Sequence, residues 1–251
     1  MSDHQSARWR VTTLFSRRIG KFRADRRVVG ALLLLGLLLA GRVWLAGHPQ
    51  HNPWAPLNLR DPAGWATQSK LLKLRDDPVQ CRAVLERSDV AFSTLDPAGE
   101  GACRREDRTR LSAFPLSPDT PAITCPAAVA LHIWERDVLT PLAQETLDSG
   151  IAQIRHLGAY SCRRLYGRDE GPWSEHATAN AIDIAGFELE DGRYISVLRD
   201  WQGNTPEAEF LRKAHQGACD GFSTVLGPDY NAAHADHLHL DMSPRWRGVC
   251  R

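Results

Sequence analysis

Ser174-Glu175-His176-Ala177-Thr178-Ala179-Asn180-Ala181-Ile182-Asp183 and His234-Ala235-Asp236-His237-Leu238-His239-Leu240-Asp241 are the stretches whose reading decides the fold. Each leaves a polar loop and enters strict alternation. A strand over residues 181–187 turns Ile182 and Ile184 to a core and Asp183 to the other face. A strand over 237–242 buries Leu238 and Leu240 and sets His237, His239 and Asp241 on the opposite side. Side by side, two such strands bring Asp183 to the histidines, and His176 folds back across its loop to join them. Two imidazoles and one carboxylate suit a catalytic zinc ion, with a fourth position open to water and a nearby acid to take its proton. A hydrogen-bonded polar network on a sheet face is the competing reading.

The flanking sequence supplies the other layers. Residues 127–156 carry Val129, Ile133, Trp134, Val138, Leu142, Leu147, Ile151 and Ile154 at helical spacing, and Gly158 ends the run. Thr140-Pro141 is placed to cap a second helical segment. Residues 159–162 read as a strand. Asp191-Gly192 predicts a hairpin turn, and Thr205-Pro206 opens a helix to about Gln216. Helix, strand, hairpin, helix and strand predict an α+β domain: an antiparallel sheet with flanking helices. It spans 70–251, with 70–124 as short strands and loops tied to it, and the proline-rich 48–69 as an extended spacer. His4, His48, His51 and His215 read as surface residues, and His132 and His156 as packed or solvated ones.

The net charge of +1 hides a division. Residues 1–27 hold eight Lys/Arg against two acids, a net of +6, so the remainder carries −5. An acidic body argues against nucleic acid as a partner. Residues 28–47 follow as an apolar run broken only by Arg42, about the ~20 residues that cross a bilayer. The positive-inside rule puts the basic head in the cytoplasm and the remainder outside, a single-pass inner-membrane protein with a periplasmic domain. A cleaved signal peptide is the rival, although no clean A-x-A site follows. All six cysteines lie beyond this run and none is in a C-x-x-C pair, which predicts up to three disulfides in an oxidising compartment.

Ser174-x-His176-x-x-Ala179-x-Ala181-x-Asp183 resembles the S-x-H-x-x-G-x-A-x-D motif of zinc D-alanyl-D-alanine peptidases, whose superfamily includes lysostaphin-type endopeptidases and the hedgehog domain. His234-x-Asp236-His237-x-His239 resembles its closing motif. Tyr160-x-Cys162-Arg163, Phe222-x-Thr224-Val225-Leu226-Gly227-Pro228, His237-x-His239-x-Asp241 and Cys250-Arg251 are similar to the extensin-like C-terminal domain family of bacterial proteins, over roughly 75–251. The resemblance implies a hedgehog-like or D-Ala-D-Ala-metallopeptidase-like fold, zinc held by His176, Asp183 and His239, and Asp236 as general base. His237 competes with His239 as third ligand, and the spacing from Asp236 favours His239. His234 or His237 would support charge developing on the substrate. Arg163, on a strand before the histidine loop, would bind a substrate carboxylate or the oxyanion. Ala179 stands where the motif has glycine. The implied activity is hydrolysis of amide bonds in peptidoglycan stem peptides. The alternatives are a non-catalytic module binding cell-wall peptide or a protein partner, and a disulfide-stapled domain without metal.

Overall fold

A computed structural model of the chain describes residues 23–245 and 248–251. Most of the basic head therefore lies outside the described residues. The chain divides into two compact units, the second being Pro49–Arg251. In the first, α1 (Arg23–Gly47) is long and apolar enough to cross a membrane, and its leucines from Leu32 to Leu39 are exposed. A signal sequence near the N-terminus meets the same description.

The second unit begins where a spacer was expected. Leu57 and Leu59 are buried in the core, the Leu59 amide donates to Ser88 Oγ at 2.8 Å, and Lys70 Nζ donates to the Pro49 carbonyl at 2.7 Å. Two apolar residues between prolines carry no period, so this packing has no local signal. The next segment holds two helices, not only strands and loops: α2 (Thr67–Leu74) and α3 (Pro78–Arg87). Asp77 caps α3 by accepting from the Gln80 amide, with Pro78 in the first turn. Leu71, Leu74, Val84 and Leu85 join the common core. A small pair, β1 (Phe92–Thr94) and β2 (Thr109–Leu111), lies beside them, followed by β3 (Leu116–Ser117).

One continuous helix then runs through α4 (Cys125–Trp134), a π turn over Glu135–Leu139, and α5 (Thr140–Leu147). Thr140 is inside it and caps nothing. Pro141 has no N–H to give the preceding turn, and the widened turn sits where that bond is missing. The helix stops at Leu147, well short of Gly158, and β4 (Ile151–Gly158) is a strand. Ile151 and Ile154 match both helical spacing and this strand, because register shifts break its alternation. Residues 159–162 form a loop and not the expected strand.

The strand β5 (Ala181–Leu189) is central. It pairs with β4, with β6 (Tyr194–Ser196) across the Asp191-Gly192 turn, and with β8 (Leu238–Asp241). Against β4, Gly186 pairs Arg155 and Ile184 pairs His156, leaving Ala185 as an extra residue. That bulge flips the pleat, so Ile182, Ile184, Phe187 and Leu189 are all buried. The short helix α6 (Val197–Asp200) leads to α7 (Pro206–Ala218), capped by Thr205 as expected. The sheet is completed by β7 (Thr224–Leu226) and β9 (Val249–Cys250). Its order is β3-β4-β5-β8-β7-β9, antiparallel except for the parallel edge pairs β3/β4 and β7/β9. Trp134 and Phe210 pack edge-on against Phe187, with ring centroids 6.1 and 5.1 Å away, so α4 and α7 cover this side. The domain is thus α+β, and the opposite side of β5 and β8 is left for Asp183 and His239.

Three disulfides staple it: Cys81–Cys125 joins α3 to α4, Cys103–Cys162 holds the loop after β4, and Cys219–Cys250 ties β9 to the end of α7. Bridges of this kind fit an oxidising compartment.

Candidate metal centre

The loop into β5 is built to present His176. Ser174 Oγ accepts from the His176 amide at 3.3 Å, a short 3-10 turn follows over Glu175–Thr178, and Ala179 ends it in the left-handed region (φ 55°, ψ 32°). Glycine would take this conformation freely, whereas alanine costs about 1–2 kcal/mol. The departure from the motif is thus absorbed as backbone strain, offset by bonds from the Ala179 amide to the His176 carbonyl (3.1 Å) and from the Thr124 amide to the Ala179 carbonyl (3.0 Å).

Register does the rest. Asp183 on β5 lies directly opposite His239 on β8. His239 Nδ1 is 2.9 Å from Asp183 Oδ1, and His176 Nε2 is 3.2 Å from both Asp183 Oδ1 and His239 Nδ1. His176, Asp183 and His239 are a group whose ligand atoms all lie within 4.8 Å of one another. The far nitrogens are committed. His176 Nδ1 donates to the Ala159 carbonyl at 3.1 Å, and His239 Nε2 donates to Asp241 Oδ2 at 3.1 Å. A carbonyl only accepts, so His176 Nδ1 carries the hydrogen and Nε2 presents a lone pair. Three acceptors thus converge on one point, an arrangement that needs a cation or a proton at its centre. The donor set fits zinc, with hydrogen-bond partners behind both imidazoles.

Without metal the proton fills that place. Burial pulls His239 down, but its bonds to Asp183 and Asp241 outweigh this and raise it to about 9. Burial likewise pushes Asp183 up, yet its polar contacts with His176 and His239 hold it well below the usual carboxylate range. A metal must expel the His239 Nδ1 proton. We expect zinc titration at pH 7 to release about one proton, read calorimetrically in buffers of different ionisation enthalpy. Zinc affinity should rise about tenfold per pH unit until about pH 9 and then level. Proton release near zero at pH 7 would contradict this assignment.

The cluster lies on the wall of a cleft of about 500 Å³, large enough for a small peptide. His237, His234 and Arg163 also line it; Asp236 does not. The Asp236 side chain is 55% exposed, and its Oδ1 accepts from His237 Nδ1 at 2.8 Å. His237 Nε2 is therefore the free lone pair, 3.5 Å from Asp183 Oδ1. Arg163 lies in the loop after β4, not on a strand. His234 is buried and its Nδ1 donates to Asn231 Oδ1 at 2.8 Å. Burial, then the neighbouring His239 and His237, lower it to about 4. Neutral and with Nε2 as an acceptor, it has no hydrogen to offer a developing oxyanion.

Two carboxylates have partners that the motif did not reveal. Asp241 is buried behind His239, and its other oxygen takes the Ser243 amide at 2.8 Å. Its place on the His239 face was visible in the alternation of β8. Glu175 lines the cleft but is saturated by Asn180, Ser243 and Arg245 at 2.8–2.9 Å. His215, Cys219 and Cys250 also lie together, but both sulfurs are in a disulfide. His215 is not a free surface residue: its Nε2 donates to the Arg251 carbonyl at 3.1 Å.

Fold and site define a disulfide-stapled α+β domain with a buried His–Asp–His cluster in an open cleft. The family of the extensin-like protein C-terminus matches residues 79–251, most of the chain, and the chain belongs to it. No curated protein and no solved structure matches it.

Proposed function

We propose that this chain is a zinc-dependent hydrolase of amide bonds in peptidoglycan stem peptides, anchored in the inner membrane by α1 with its domain in the periplasm. One observation carries the reading: the inward-turned lone pairs of His176, Asp183 and His239 on the wall of a peptide-sized cleft. The motif resemblance to zinc D-alanyl-D-alanine peptidases supports it. The basic head and the three disulfides support the orientation.

Zinc bound there would polarise a carbonyl and make water more acidic. His237 is the base best presented to the cleft: Asp236 fixes its Nδ1 proton, so Nε2 accepts one from the attacking water. Asp236, half outside and behind the ring, acts as a positioning residue and not as the base itself. Arg163 on the cleft wall binds a substrate carboxylate or the charge growing on the carbonyl oxygen.

One observation favours the second reading, a binding module for cell-wall peptide or a protein partner. The cleft carboxylates Glu175 and Asp241 are fully engaged, which leaves no carboxylate base facing it among the described residues. The test is to incubate the full chain, purified in detergent with one equivalent of zinc, with stem peptides and analyse them by mass spectrometry. Fragments with a new amine and a new carboxylate are expected. Peptide bound but uncut would favour the binding module.

A further inference from the structure

The second unit leaves little slack after α1. The helix ends at Gly47 and the unit begins at Pro49, so His48 alone stands between them in the chain. The first residues of the unit are fastened at once. The Pro49 carbonyl accepts from Lys70 Nζ at 2.7 Å, and the Gln50 carbonyl accepts from the Ala66 amide at 3.3 Å. The His51 carbonyl accepts from Trp65 Nε1, and the His51 ring meets that indole edge-on with centroids 5.1 Å apart. Gly64 lies so close that a Cβ there would stand 2.5 Å from the Gln50 carbonyl oxygen. Residues 64–66 thus pack on residues 50–51, where the chain enters the unit. Trp54 follows in the next turn, its amide donating to Asn52 Oδ1 at 3.0 Å.

This entry face is also where the unit exposes indole. Trp54 is 82% exposed and Trp65 73%, whereas Trp134 and Trp201 are buried and Trp173 is half-buried. With histidine neutral, residues 48–66 carry one cation, Arg60, and one anion, Asp61, so no net charge repels lipid phosphates. Indole joins a large apolar face to one N–H donor, the combination that concentrates tryptophan at membrane–water interfaces. Two indoles alone hold a soluble domain weakly, because binding scales with the apolar area inserted. A short tether changes this. It supplies an effective concentration in the millimolar range, at which a weak contact is occupied.

We propose that Trp54 and Trp65 seat the entry face of the second unit in the headgroup layer of the membrane that α1 crosses. This rests on α1 being a membrane span and adds where the domain stands: on the lipid surface, not free on a stalk. The cleft then reaches peptides within one domain width of the bilayer, about 40 Å for a compact chain of this length.

The test puts the full chain, labelled with fluorotryptophan, into nanodiscs of phosphatidylethanolamine and phosphatidylglycerol and reads each indole by fluorine NMR. Single tryptophan-to-phenylalanine replacements assign the signals. A water-soluble gadolinium chelate should relax Trp54 and Trp65 less than half-buried Trp173, the reverse of their order of exposure. Dissolved oxygen, which partitions into lipid, should relax both more than Trp173. A second copy or a protein partner covering the indoles would exclude the chelate without adding oxygen relaxation, and that result overturns docking on lipid. So does a larger chelate effect on Trp54 and Trp65 than on Trp173 while Trp44, within α1, is shielded. A Trp44 signal relaxed by the chelate would sink the membrane span itself, whatever Trp54 and Trp65 report.

Discussion

Replacing His176 by alanine in the full chain should reduce bound zinc from about one ion per chain to background and abolish stem-peptide hydrolysis. His176 supplies one of three protein ligand atoms, and no other described histidine nitrogen joins the group. Asp241→Asn is the graded companion, since its single amide oxygen can accept from His239 Nε2 or from the Ser243 amide but not from both. Removing such a partner lowers metal affinity by roughly 10–100-fold, and the loss in His176→Ala should be far larger. Metal content after dialysis, with far-UV circular dichroism as the folding control, separates the two. A folded His176→Ala protein that keeps its zinc would end the assignment of the centre.

His237→Ala should lower turnover by roughly 10²–10⁴-fold, the range for a lost general base, with zinc content unchanged. Asp236→Asn should cost much less, about tenfold, because its half-exposed side chain only orients the ring and an amide oxygen still accepts from His237 Nδ1. The motif alone implies the opposite order, with Asp236 as base. The ratio of the two losses in kcat decides between them. An Asp236→Asn defect exceeding that of His237→Ala would return the base role to the carboxylate.

The candidate ligands were legible because their geometry is local. Ile182 and Ile184 against Asp183, and Leu238 and Leu240 against His239, are alternations that any half-buried strand must show. The Asp191-Gly192 turn and the Thr205 cap were legible for the same reason, since each depends on a few adjacent residues. By contrast, β4 was read as helix because its register shifts erase the two-residue period. Its strand conformation comes from β5 beside it. Short α2 and α3, and the burial of Leu57 and Leu59, likewise depend on distant partners and leave no periodic trace.

The sequence by itself determined the face that Asp183 and His239 share, the six cysteines confined to the body and the apolar run before it. These follow from residue order and side-chain direction along one strand or helix. Only the tertiary structure decided which cysteines pair, that Asp236 stands behind His237, and that Glu175 pairs with Arg245. The physical reason is common to all three. A hydrogen bond or ion pair is set by where two side chains meet in space, and residues 175 and 245 meet only after the sheet has brought them together.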